Sequence, residues 1–170
     1  LVFDWQINID PNIWVEIDPT KMDKVLSNLL SNAFKYTPKG GTISVQVRPD
    51  QNDNLFISVT DNGIGIKLTE QEKVFDRFFQ ASPNENEGVV EAKGGTGIGL
   101  SLSYDLIKLM GGRLWLESEW GKGSTFYCTF PYRIVSRQAT IAAEDKPLVS
   151  PQVLGTGDAQ TNEDLNKPHI

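Results

Sequence analysis

Apolar and polar positions alternate from the first residue. Leu1, Phe3, Trp5, Ile7 and Ile9 share one side of an extended chain, and Ile13, Val15 and Ile17 repeat the pattern beyond Asp10-Pro11-Asn12. Period two predicts two half-buried strands. At Asp18 the period changes. Asp18 is a good N-cap and Pro19 suits the first helical position. Met22, Val25, Leu26, Leu29, Leu30, Ala33 and Phe34 then recur at helical spacing to about Tyr36, where Pro38-Lys39-Gly40-Gly41 stops the helix.

Alternation returns in 42–48 and 55–61, separated by the turn-rich stretch 49–54, which predicts a β-hairpin. A short helix is predicted over 69–74. Residues 80–96 show no period and are rich in Gly, Glu, Asn and Ser; so long a structureless stretch inside a domain is usually functional or disordered. Leu100, Leu102, Leu106, Ile107 and Met110 mark a helix over 98–110 that Gly111-Gly112 ends. Strands over 113–119 and 124–131 make a last hairpin across Trp120-Gly121-Lys122-Gly123. Beyond Arg133 large apolar residues thin out, prolines fall at 147, 151 and 168, and 134–170 reads as a flexible linker after a domain at 1–133. The order ββ-α-ββ-(α)-α-ββ predicts an α/β fold: a two-layer sandwich whose mixed, mainly antiparallel sheet carries helices on one face.

Composition narrows the chemistry. A net charge of −6 argues against nucleic-acid contact. No apolar run reaches the roughly 18 residues of a membrane span, and the lack of a starting Met or signal-like leader suggests a piece of a longer polypeptide. The one cysteine, Cys128, lies in an alternating strand and reads as a small core hydrophobe; no Cys/His cluster has zinc spacing. The single histidine, His169, sits in a polar stretch and reads as solvated.

Three segments remain that packing alone does not explain. Lys21, Lys24, Asn28, Asn32 and Lys35 fall on one face of the first helix, opposite its apolar stripe. The lysines at 21 and 24 read as a solvated face. Two asparagines one turn apart in mid-helix serve no local stability purpose, and a neutral amide oxygen can ligate Mg²⁺. Asp61-Asn62-Gly63-Ile64-Gly65 ends a strand; it makes a good turn, or an acceptor for an exocyclic amine beside glycines that admit a flat ring. Gly94-Gly95-Thr96-Gly97-Ile98-Gly99-Leu100 runs into a helix N-terminus, a natural phosphate site. A fourth segment, Val74-Phe75-Asp76-Arg77-Phe78-Phe79, reads mostly as packing that anchors the polar loop, with Arg77 able to swing onto a terminal phosphate.

In order and spacing the four segments resemble the N, G1, F and G2 boxes of the ATP-binding catalytic domain of bacterial sensor histidine kinases, part of an ATPase superfamily shared with type II topoisomerases, MutL and Hsp90. The resemblance covers about residues 1–133 and implies the Bergerat ATP-binding fold. It implies ATP and Mg²⁺ as ligands, with Asn32 on the metal, Asn28 supporting metal and phosphates, Lys35 on phosphate and Tyr36 near the adenine. Asp61 would accept the adenine amino proton, Gly63 and Gly65 would shape the base pocket, and Ile66, Phe75 and Phe79 would complete it. Gly95, Thr96, Gly97, Ile98, Gly99 and Leu100 would line the phosphates, Asn32, Lys35 and Arg77 would assist transfer, and 80–96 would be the ATP lid.

The resemblance further implies transfer of the γ-phosphoryl group to a histidine on a separate helical dimerisation domain of the same protein, which this chain lacks; His169 is no credible acceptor. The parent would be a membrane sensor with this domain in the cytoplasm. Leu165-Asn166-Lys167-Pro168-His169-Ile170 resembles the lead-in to a receiver domain, which implies a hybrid kinase. Two other functions compete. An ATPase clamp of the topoisomerase or Hsp90 type would need a water-activating glutamate on the first helix, and 24–28 holds none. A degenerate docking module would not need four intact boxes.

Overall fold

A computed structural model describes residues 1–10, 14–50, 52, 54–80 and 96–135. The first helix, α1 (Pro19–Tyr36), forms as its local chemistry dictates. The Asp18 carboxylate accepts the Lys21 backbone N–H at 3.0 Å, leaving Pro19 where a missing N–H costs nothing. At the other end Pro38 drives Thr37 out of helical conformation to φ −89°, ψ 127°. Thr37 then caps the helix, its N–H and its hydroxyl both donating to the Ala33 carbonyl at 3.0 and 2.6 Å.

The main sheet has the strand order β1-β3-β4-β6-β5, formed by β1 (Val2–Ile7), β3 (Thr42–Pro49), β4 (Asn54–Asp61), β5 (Arg113–Glu119) and β6 (Gly123–Pro131). β1 runs parallel to β3 and the other neighbours are antiparallel. α1 and α3 (Gly99–Leu109) cover one face, so the predicted mixed, mainly antiparallel sheet with helices on one side is what forms. Met22, Val25, Leu29 and Ala33 of α1 meet Ile43, Leu55, Ile57, Val59, Phe126, Cys128 and Phe130 of the sheet and Ile107 of α3. Each fully buried aliphatic side chain there contributes about 1.5–3 kcal/mol.

Three elements differ from the sequence reading. β1 is exposed along its whole length, not half-buried. It is an edge strand, and Phe34 of α1 reaches across to stack on its Phe3 at 5.9 Å. β2 (Trp14–Glu16) joins no hairpin with β1; it pairs antiparallel with β7 (Arg133–Val135), whose last two residues fall in the stretch read as linker. Of the helix expected over 69–74, only α2 (Leu68–Gln71) forms, followed by turns. Residue 13 and residues 136–170, including His169, lie outside the described residues. Among those described, no helix is long and apolar enough to cross a membrane.

Cys128 is fully buried in β6, and burial pushes its thiol up to about 12. At pH 8 it is therefore a thiol with no access to reagent. Iodoacetamide is expected to label it only at the rate of global unfolding, read by mass spectrometry against denaturant. Labelling faster than unfolding would show that the sheet opens locally.

Candidate nucleotide site

Helical spacing puts Asn28, Asn32 and Lys35 on one side of α1, all half-buried. Asn28 is fastened: its Nδ2 donates to the Gly99 carbonyl at 2.9 Å and to the Ser103 hydroxyl at 3.1 Å. Among the described residues nothing hydrogen-bonds the Asn32 amide. The Lys35 ammonium lies 4.8 Å above the Tyr36 ring, which holds it toward the helix end. Lys21 is engaged by the Asp18 carboxylate and Lys24 is exposed, so both belong to the solvated end of that face.

Strand alternation places Asp61 on the same side of β4 as Leu55, Ile57 and Val59, facing the helix layer at the strand's end. Its Oδ1 accepts the Gly63 N–H at 2.9 Å. Burial raises its pKa above the usual aspartate value, and backbone N–H groups of Gly63 and Ser124 pull the other way. Gly63 lies against the Tyr36 carbonyl, where a Cβ would come within 2.4 Å, so the loop after β4 packs directly on the end of α1. The same loop is tied to the β5–β6 hairpin. Ile66 N–H donates to Ser118 Oγ at 2.8 Å, Gly121 N–H to the Ile64 carbonyl at 2.7 Å, and Gln71 Nε2 to the Ile66 and Ser118 carbonyls at 2.9 Å each.

The phosphate-type loop enters α3 through Thr96, Gly97 and Ile98. The Phe78 N–H donates to the Gly97 carbonyl at 2.8 Å. Phe78 is the one non-glycine residue with positive φ among those described, at 65°. A Cβ on Gly97 would meet the Phe78 backbone at 2.7 Å, so the aromatic segment and this loop touch backbone to backbone. Gly99 sits against Asn28 with no room for a side chain.

These contacts form one chain of neighbours: Asp61–Gly63–Tyr36 along α1 to Asn28, on to Gly99, then Gly97 to Phe78 and Phe79. Ile66, Phe75 and Leu100 pack against the core, and Phe75 also meets Tyr104 at 5.5 Å; they anchor the surrounding loops. Phe79 is half-buried, whereas Thr96 and Ile98 are exposed at the loop. Arg77 is not brought in. It is exposed and ion-paired with Asp105 of α3 at 3.1 Å, because α3 offers it a carboxylate on the surface. Gly95 and nearly all of the expected lid lie outside the described residues. A concavity of about 360 Å³ at the ends of β4, β5 and β6 borders Asp61, but Thr60, Glu117 and Thr125 place it on the sheet face away from the helices. Ser103 and Ser118 escaped the sequence reading. A serine among the apolar positions Leu100, Leu106 and Ile107 of α3 was the available signal for the first; nothing local marked the second.

The donor set fits a Mg²⁺ that arrives with nucleotide phosphates. Among the described residues no three His, Cys, Asp or Glu side chains cluster to hold a bare metal, while the neutral amide of Asn28 on α1 meets the glycine-bearing entrance of α3.

The chain is similar to known proteins throughout this region. Sensor histidine kinase WalK of Bacillus subtilis is 42% identical over 126 residues, covering 73% of this chain and 20% of WalK. The aerobic respiration control sensor protein ArcB of Escherichia coli is 38% identical over 163 residues, covering 92% of this chain and 20% of ArcB. The chain thus spans about a fifth of the length of these curated relatives. The solved catalytic domain of histidine kinase ThkA, in a nucleotide-free form, superposes with a TM-score of 0.62 at 28% identity over 76% of this chain and 78% of that one. Residues 17–134 match the family of histidine kinase-, DNA gyrase B-, and HSP90-like ATPases, and the chain belongs to that family.

Proposed function

We propose that residues 1–133 bind Mg-ATP and present its γ-phosphoryl group to a histidine on a separate helical dimerisation domain of the same protein. One observation carries the reading: the Asn28 amide is bonded to the first carbonyl of α3, so the face carrying Asn28 and Asn32 meets the glycine entrance of the next helix. Asp61 accepts the adenine amino group, with Gly63, Gly65 and Tyr36 shaping the base pocket beside it. Asn32, supported by Asn28, holds the metal; Lys35 and the amides of 95–100 hold phosphates. Arg77 would reach phosphate only by leaving Asp105.

Bound Mg²⁺ would neutralise charge on the phosphate oxygens. The chain's own contribution is to position and orient, which is most of catalysis in phosphoryl transfer. Residues 80–96 would cover the site and exclude water. The absence of a glutamate in 24–28 favours transfer over hydrolysis, and so a kinase over an ATPase clamp. The acceptor domain, the receiver domain suggested by 165–170, and a cytoplasmic location within a membrane sensor belong to the same proposal.

Calorimetry is expected to show Mg-ATP binding of modest affinity. With γ-labelled ATP the chain alone stays unlabelled, whereas adding the helical domain gives acid-labile label on its histidine. Absence of any adenine-nucleotide binding would refute the proposal, and sizeable hydrolysis by the chain alone would favour the clamp.

A further inference from the structure

Asn28 offers two different atoms, and its environment chooses between them. The Gly99 carbonyl can only accept, so the amide nitrogen must face it. The Ser103 hydroxyl has one proton, which goes to that same carbonyl at 3.0 Å, leaving its lone pairs to receive Asn28 Nδ2 at 3.1 Å. Ser103 has no exposed surface, so water cannot substitute for it. A flipped amide would set its oxygen against the Gly99 carbonyl, losing that bond, and could keep Ser103 only by taking the proton that the hydroxyl now gives to Gly99. The orientation is therefore fixed before any ligand arrives. The Oδ1 atom is left beside the bare α-carbon of Gly99, where a Cβ would come within 2.9 Å of it.

Resting on the nucleotide reading above, we propose that Ser103 is a positioning residue for the metal and phosphate site. With the Gly99 carbonyl it locks the Asn28 amide so that Oδ1, not Nδ2, faces the entrance of α3. Preorganising an oxygen donor removes the need to order it when nucleotide binds. Gly99 completes the arrangement by leaving space for that oxygen. Ser103 touches neither nucleotide nor metal; it acts through Asn28.

The test uses the full chain with Ser103→Ala, Asn28→Ala and the double variant. First, the side-chain amide resonances of Asn28 are followed by NMR without nucleotide. They are expected to be well dispersed and protected from exchange in the parent, and to lose protection in Ser103→Ala while the backbone spectrum keeps its dispersion. Second, ADP is titrated calorimetrically in Mg²⁺ and in EDTA. Ser103→Ala is expected to lower affinity about tenfold in Mg²⁺, to change it by less than about twofold in EDTA, and to add nothing in the Asn28→Ala background. Unchanged Asn28 resonances in Ser103→Ala, equal losses with and without Mg²⁺, or a further loss in the Asn28→Ala background would each overturn the inference while leaving the nucleotide site intact. A parent chain that binds no ADP would overturn the nucleotide reading itself, whatever the resonances show.

Discussion

Asp61→Asn is expected to weaken ATP binding by about 100-fold and leave the fold standing. An ionised carboxylate only accepts hydrogen bonds, and Gly63 N–H already occupies one of its oxygens. In the proposed site the carboxylate's remaining acceptor capacity is what an exocyclic amine would donate to. An asparagine can turn its NH₂ toward that amine, two donors facing each other. Losing a bond to a charged group costs about 1.5–3 kcal/mol, and a desolvated, unmatched donor adds to it; about 2.7 kcal/mol is a hundredfold.

Stability moves differently. Burial raises the Asp61 pKa, so folding disfavours the charged form. The contribution of a raised group is present below its unfolded pKa and lost as pH rises through the folded value. At pH 7 the native state therefore carries a burial cost that asparagine removes. Against this, one of the backbone N–H groups that the carboxylate serves loses its acceptor. The two effects oppose, and the midpoint of thermal unfolding should stay within about 4 °C of the parent at pH 7. Calorimetric titration and a melting curve on one sample check both halves. Retained ATP binding in Asp61→Asn would remove the base-recognition role, and signalling left untouched as well would favour a docking module.

The difference between what could and could not be read along the chain is one of range. The α1 boundaries follow from neighbours in sequence: Asp18 with Lys21, and Thr37 forced by Pro38 onto Ala33. The placement of Asp61 follows from strand alternation once β4 is recognised. The pairing of β2 with β7 depends on residues far apart in sequence, and three-residue strands carry too little pattern to announce a partner. The exposure of β1 has the same origin, because alternation shows that a strand has an apolar side but not whether anything covers it. For the site, residue types on one face of α1 pointed to ligands without showing that Asn28 is already bonded, whereas the Asn32 amide has no such bond among the described residues. Arg77 illustrates the converse. A cation near a phosphate loop suggests a phosphate contact, yet the chain itself supplies Asp105 as a nearer partner.

A large loss of stability is expected from Gly65→Ala. Gly65 has φ +69°, a conformation that costs an L-residue about 1–2 kcal/mol. A Cβ there would also lie 2.1 Å from the Glu119 carbonyl oxygen and 3.1 Å from the Trp120 α-carbon. Both are backbone atoms of the β5–β6 hairpin, so no rotamer change relieves the overlap, and the loop must lift off the hairpin. That separation strains the Gly121–Ile64 and Ile66–Ser118 hydrogen bonds, worth about 1 kcal/mol each. Together the terms reach about 3–4 kcal/mol, or a fall in melting temperature of about 10 °C. Gly121→Ala supplies the control. Gly121 has φ +83°, and a Cβ there would meet nothing within 4 Å, so it carries only the backbone cost and a fall of about 4 °C is expected. The gap between the two melting curves isolates the close approach of the loop after β4 to the hairpin. Equal shifts would mean that Gly65 is held by its own conformation alone, and that the loop carrying Gly63 and Gly65 is not clamped between α1 and the hairpin.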